Sequence, residues 1–150
     1  SAVQNLPQAG TYADITGSVV AYCPPQSTKT VVYTLQTHLS GRDLTFGQKD
    51  GLFKMYFNET EVLPARVFIT NANNAVGYVD FSVCFNIDAT ATLDISNAIL
   101  NTWDNTHTLK WVGARTAENG TFVVHNKFGF TQNGALDTFS PPKVKIEAYG

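Results

Sequence analysis

Charge is what this sequence has least of. Charged residues make up 15% of its 150 positions, against about 25% in ordinary globular domains. Thr and Asn carry much of the polarity instead. Basic runs are missing: the ten Lys and Arg are scattered, and the net charge is −2. Nucleic-acid binding rests on clustered cations that displace counterions, so that class is set aside. Long apolar stretches are missing as well. None approaches the roughly 18 residues of a membrane-spanning helix, so membrane insertion is not expected. No signal-peptide pattern opens the chain, and its start at Ser1 fits a processed form or an excised domain. Cysteine is limited to Cys23 and Cys84. Outside the cell these two can form one disulfide; the sequence leaves open a bridge or two free thiols.

The motifs of catalysis are also missing. His38, His107 and His125 form no HExxH pair, and no histidine lies four residues from another, as local zinc pairing would require. There is no GxSxG elbow and no phosphate-binding glycine loop. A nucleophilic thiol needs an electropositive setting, whereas Cys84 lies among Asp80, Ser82 and Asn86. Glu59 and Glu61, two apart, share one strand face, while glycosidase carboxylates face each other across a substrate. Asp88, Asp94 and Asp104 offer oxygen ligands of the kind calcium takes, but at no recognisable loop spacing, so they read as solvated turn residues. The expectation is a protein without enzymatic activity, cofactor or metal.

What the sequence has is period two. Val79, Phe81, Val83, Phe85 and Ile87 alternate with Asp80, Ser82, Cys84 and Asn86, which is a strand with one apolar face. Val31, Tyr33, Leu35 and Leu39 repeat the pattern, as do Phe122, Val124, Phe128 and Phe130, and Val144, Ile146 and Ala148 against Lys143, Lys145 and Glu147. Weaker strands are expected at 15–23, 52–57, 66–70, 91–95 and 108–115. Asn119-Gly120 is a hairpin signal; Asp50-Gly51, Asn73-Asn74 and Asn133-Gly134 mark further turns. One or two helical turns are expected within Ser96–Trp103, with Ser96 as N-cap. The pattern predicts an all-β fold, an antiparallel β-sandwich or jelly roll of about eight to ten strands with at most one short helix. Residues 13–150 read as the domain, and 1–12 as an extended N-terminal arm or the end of a stalk.

Two segments attract a functional reading. Asn58-Glu59-Thr60 and Asn119-Gly120-Thr121 are N-glycosylation sequons, the second equally explained as turn chemistry. The stretch from Asn101 to Arg115 holds both tryptophans, Trp103 and Trp111, with Asp104, Asn105 and His107. Sugar sites pair an aromatic platform with Asn, Asp and Arg hydrogen bonding. Asn101, Trp103, Asp104, Asn105, His107 and Arg115 are therefore the candidate ligand site. The competing reading puts Trp111 in the core and makes Trp103 a plug at one end of the sandwich. The polar face Tyr78, Asp80, Ser82, Cys84, Asn86 either meets water or meets a neighbouring subunit.

In size, low charge and strand-rich style, the whole chain resembles the C-terminal receptor-binding heads of viral and phage fibres and the protruding domains of capsids. The resemblance implies a homo-oligomer, a trimer first, on a virion surface or otherwise extracellular, whose partner is a cell-surface glycan or protein receptor. It carries over no site residue. The run Ile15-Thr16-Gly17-Ser18-Val19-Val20-Ala21-Tyr22-Cys23 and the penultimate Tyr149 are similar to chaperone–usher pilins, which implies instead a structural or adhesive pilus subunit. Pilins keep apolar residues in phase with that tyrosine; here Lys145 and Glu147 share its phase.

Overall fold

The alternation becomes two packed sheets in the computed structural model, which describes residues 2–42, 49–71, 76–116, 121–127 and 138–150. Twelve strands lie among them. The first six are β1 (Gln4–Asn5), β2 (Ala13–Asp14), β3 (Val20–Tyr22), β4 (Thr30–Arg42), β5 (Lys49–Phe57) and β6 (Thr60–Glu61). The rest are β7 (Val67–Asn71), β8 (Val76–Ile87), β9 (Ile99–Leu100), β10 (His107–Arg115), β11 (Thr121–Val124) and β12 (Lys143–Tyr149). Two three-residue 3-10 turns, Leu63–Ala65 and Ile95–Asn97, complete the elements. The all-β sandwich is therefore the fold, with five of the strands only two or three residues long. Among the described residues no helix is long and apolar enough to cross a membrane.

Sheet one is centred on β4, which pairs along one edge with β8 and along the other with β12 and then β11. Sheet two is centred on β10 and β5, with β2 and β3 on the far edge of β10 and β6 and β7 on the far edge of β5. Inward residues follow the expected phase: Val31, Tyr33, Leu35 and Leu39 from β4, and Phe81, Val83 and Phe85 from β8, are buried. They meet Phe53, Met55 and Phe57 of β5 and Leu109 and Trp111 of β10. Rings stack across the layers, Phe53 on Phe81 at 4.5 Å and Phe81 on Trp111 at 5.5 Å between centroids. Such contacts add to the area term that dominates a core of this kind. Trp111 is thus core. Ser18, buried beside it, accepts the Trp111 N–H and donates to the Trp111 carbonyl, both at 3.1 Å. The Ser18 carbonyl in turn accepts the buried Tyr33 hydroxyl.

Four expectations need correction. Asp50-Gly51 is no turn: both residues lie inside β5. A Cβ on Gly51 would come within 2.8 Å of the Phe122 ring, so glycine is there for close packing. The helix expected in Ser96–Trp103 shrinks to the 3-10 turn, which begins after Asp94. Ser96 Oγ donates to the Asp94 carboxylate at 2.6 Å rather than capping, and Ala98 turns left-handed at φ 61°. The chain then enters β9, parallel to β8; burial of Ala98 and Leu100 against the core outweighs local helix propensity. Residues 91–95 form no strand, only a single bridge from Asp94 to Ile99.

The fourth concerns the arm. Residues 2–12 are docked on the domain. β1 pairs with β11, and Leu6 enters the core at 2% exposure. The Pro7 carbonyl then accepts the Arg115 N–H at 2.7 Å, in the other sheet. Gln4 spans back to the start of the domain, donating to the Asp14 carbonyl at 2.7 Å and accepting the Thr16 N–H at 2.9 Å. The segment crosses from one sheet to the other and closes the sandwich along one side. The turns at Asn73-Asn74, Asn119-Gly120 and Asn133-Gly134, the residues Phe128 and Phe130, and the sequon Asn119 lie outside the described residues.

Candidate functional site

The polar loop around Trp103 lies at the end of the sandwich where β3, β8 and β9 finish and β4 and β10 begin. There the loops after β3, β8 and β9 border a groove of about 140 Å³ that includes Lys29, Asn101, Trp103 and Asp104. Loops held by rigid sheets are where binding residues collect. Asn101, Asp104 and Asn105 are exposed, and Asp104 accepts the Thr102 hydroxyl at 2.7 Å.

Trp103 itself is not an open platform. It is 4% exposed and packs edge-on against Phe57, Phe85 and Tyr22 at 5.0, 5.6 and 5.9 Å between centroids. Its indole Nε1 donates to the Tyr22 carbonyl at 3.3 Å. The ring is the plug that closes the core, and it borders the groove from its buried position. His107 is half-buried and stacks on Phe57 at 4.9 Å. Arg115 does not belong to the cluster. It ends β10 while His107 begins it, and eight strand steps of about 3.3 Å place them on the order of 26 Å apart.

The first sequon asparagine is engaged. Asn58 sits left-handed at φ 52° in the turn after β5. Its Nδ2 donates to His107 Nδ1 at 2.9 Å, and its Oδ1 accepts the Thr108 N–H at 2.9 Å. A glycan on Nδ2 would compete with that clamp. The cysteines are unbridged, both exposed, and correct the disulfide option: Cys23 follows β3 in sheet two, while Cys84 points outward from β8 in sheet one. Thr90 holds the Asp88 carboxyl below its ordinary pKa through its hydroxyl and N–H, and Ser96 and Asn97 do the same for Asp94. Both carboxylates act as local turn acceptors. The polar face of β8 is open in this chain, with Tyr78 stacked on His38 at 4.7 Å.

A second depression, about 400 Å³, lies on the outer face of sheet two and had no counterpart in the sequence reading. Phe68 stands on β7 with 61% exposure, opposite Leu52 of β5. Tyr12, Lys54 and Arg66 complete the lining with Val67 and Phe53. Lys54 Nζ lies 4.3 Å from the centre of the Tyr12 ring. Arg66 grips Glu61 through Nε at 2.5 Å and Nη2 at 3.0 Å. That hydrogen bonding holds the Glu61 carboxyl below its ordinary pKa, against the opposing effect of burial. The signal was an aromatic residue in the polar phase of a strand: Val67 and Ile69 face the core, so Phe68 faces out.

No protein-family model matches the chain, and no curated protein is significantly similar to it.

Proposed function

We propose that this chain is a non-enzymatic attachment module, a head of a viral or phage fibre or a capsid protrusion, that binds a cell-surface glycan or protein receptor. The observation that carries the reading is the docked N-terminal segment. A pilin subunit lacks a strand and borrows its neighbour's arm. Here Gln4, Asn5 and Leu6 fill their own domain's edge and core, as befits a domain that folds by itself and presents surfaces to a receptor. Open depressions on the sandwich, among them one at the loop end and one on a sheet face, support the same reading. The exposed polar face of β8 is a surface on which like subunits can meet, in keeping with a homotrimer on a virion or in another extracellular setting.

The test is binding. The purified domain, fluorescently labelled, is applied to a glycan array and to a panel of intact cells. Binding to a defined glycan set, or saturable and protease-sensitive binding to cells, is the expected result. A blank array together with no cell binding overturns the proposal. Light scattering at micromolar concentration is expected to give three times the mass of the chain, and a monomer would remove the trimer.

A further inference from the structure

We propose that the depression on the outer face of sheet two is a binding site for a terminal acidic monosaccharide, with the sugar ring laid on Phe68 and its carboxylate held by Arg66 and Lys54. The inference rests on the attachment reading and names the ligand class and the place.

Three features point to that chemistry. The first is an aromatic ring with no work in the core. Phe68 is 61% exposed on the outer face of a strand whose neighbours Val67 and Ile69 pack inward. A large apolar side chain that stays in water beside a concavity marks an interaction surface more often than a scattered one does. With Leu52 opposite and Tyr12 alongside, it offers the C–H face of a sugar an apolar bed. The second is charge. Among the described residues the lining holds two cations, Lys54 and Arg66, and no carboxylate. Glu61, which bonds Arg66 and lies 3.8 Å from Lys54, offsets one of the two charges and leaves a local excess of one, in a chain whose net charge is −2. A neutral sugar has no use for this local excess, and a bare phosphate has no use for the ring. The third is preorganisation. Two of the five N–H groups of the Arg66 fork go to Glu61. That grip holds the guanidinium at the rim, where an incoming carboxylate can take the bidentate geometry arginine favours. Lys54 is placed the same way, between the Tyr12 ring at 4.3 Å and Glu61 at 3.8 Å. A concavity of about 400 Å³ is of the size that small ligands fill.

The loop groove near Trp103 is the competing location. It is smaller, its ring is buried in the core, and its lining balances one cation, Lys29, with one carboxylate, Asp104.

The experiment is an NMR titration of the isotopically labelled domain with sialyllactose, with a glucuronic-acid-terminated disaccharide, and with lactose as the neutral control. One or both acidic sugars are expected to shift amides of residues 12, 52–54 and 66–68, and lactose to shift them far less. Phe68→Ala, checked for an unchanged thermal midpoint, is expected to weaken acidic-sugar binding about tenfold or more, the equivalent of one lost stacking contact. Arg66→Gln is expected to erase the preference for acidic sugars over lactose. Shifts confined to residues 24–29 and 101–104 would overturn this site and leave the attachment reading in place. No shift from either acidic sugar, with cell binding intact, would overturn the ligand class and leave a protein receptor. No binding to sugars, array or cells would overturn both.

Discussion

Trp103 and Phe68 are two large rings at the edges of the same sandwich, and they have opposite fates. Trp103 sits in a chain segment crowded with Asn, Asp and Thr, yet it is 4% exposed and held by three other rings. Phe68 sits in an apolar stretch, Val67 to Ile69, yet it is 61% exposed. Polar neighbours in sequence therefore did not make a ring a surface ring. What decided was geometry: the open end of a two-layer core needs a cap wide enough to cover Phe57 and Phe85, and the loop after β9 hangs over that end. Phe68 has the wrong parity on β7 to reach the core at all. The ring with no structural task is the better candidate for a functional one.

The sharpest way to break this contrast is to delete the indole. Trp103→Ala is expected to cost about 3–5 kcal/mol, the range for truncating a packed core aromatic, because three edge-on ring contacts and the bond to the Tyr22 carbonyl go with it. Urea unfolding of the purified variant measures it. A loss below about 1 kcal/mol would mean that the ring caps nothing and would return Trp103 to the list of surface platforms.

The next effect concerns the arm. Leu6→Ala is expected to cost about 2–4 kcal/mol, and removal of residues 1–12 more, with the main-chain bonds to Phe122 and Arg115 and the Gln4 side-chain bond to the Asp14 carbonyl lost as well. A truncated protein of unchanged stability that no longer assembles would instead revive the donor-strand reading. The arm also shows what the sequence could not disclose. β4, β8 and β12 were legible because each keeps one face toward one core over most of its length, so period two is broken only at points such as Thr37 in β4 and the exposed Ala148 in β12. Residues 2–12 change sheets at Leu6-Pro7, and a segment that pairs for two residues in one sheet and makes a single bridge in the other has no period to detect. Asp50-Gly51 misled for a related reason. Turn chemistry and close packing both select glycine, and only the Phe122 ring above it tells them apart. The candidate site was legible in part: Asn101, Trp103 and Asp104 do share a groove, His107 stacks beneath the same ring cluster, and Arg115 was joined to them only by sequence proximity.

A smaller effect sharpens the description of the outer face. The Arg66 bond depresses the Glu61 pKa in the folded chain. A depressed carboxylate contributes stability above its unfolded pKa, and that contribution is lost as the pH falls through the folded value. The window therefore lies below the ordinary glutamate range near 4.5. Glu61→Gln is expected to flatten the acid limb of the stability profile and to leave neutral pH little changed, since exposed ion pairs are weak. An NMR titration of the Glu61 carboxyl is expected to show a low value that moves back up in Arg66→Gln. A carboxyl that titrates normally in the parent protein would show that Arg66 is not held, and the preorganised rim would go with it.

The smallest expected effect closes the comparison. Phe68→Ala should change stability by no more than about 0.5 kcal/mol, as surface substitutions away from special features do. The ring is mostly in water, so its removal forfeits little buried area, and Val67 and Ile69 still anchor β7 to the core. Strand propensity runs slightly against Ala, which sets the sign as a small loss. Set beside Trp103→Ala, the pair predicts two aromatic truncations that differ by at least about 2.5 kcal/mol in stability, with ligand binding following the one that does not unfold the protein. Urea unfolding of both variants under one condition measures the difference. If Phe68→Ala instead costs 2 kcal/mol or more, the ring is holding β7 onto Leu52 and the edge of β5. Its exposure would then be incidental to a structural contact, and the outer face of sheet two would lose its claim to a ligand.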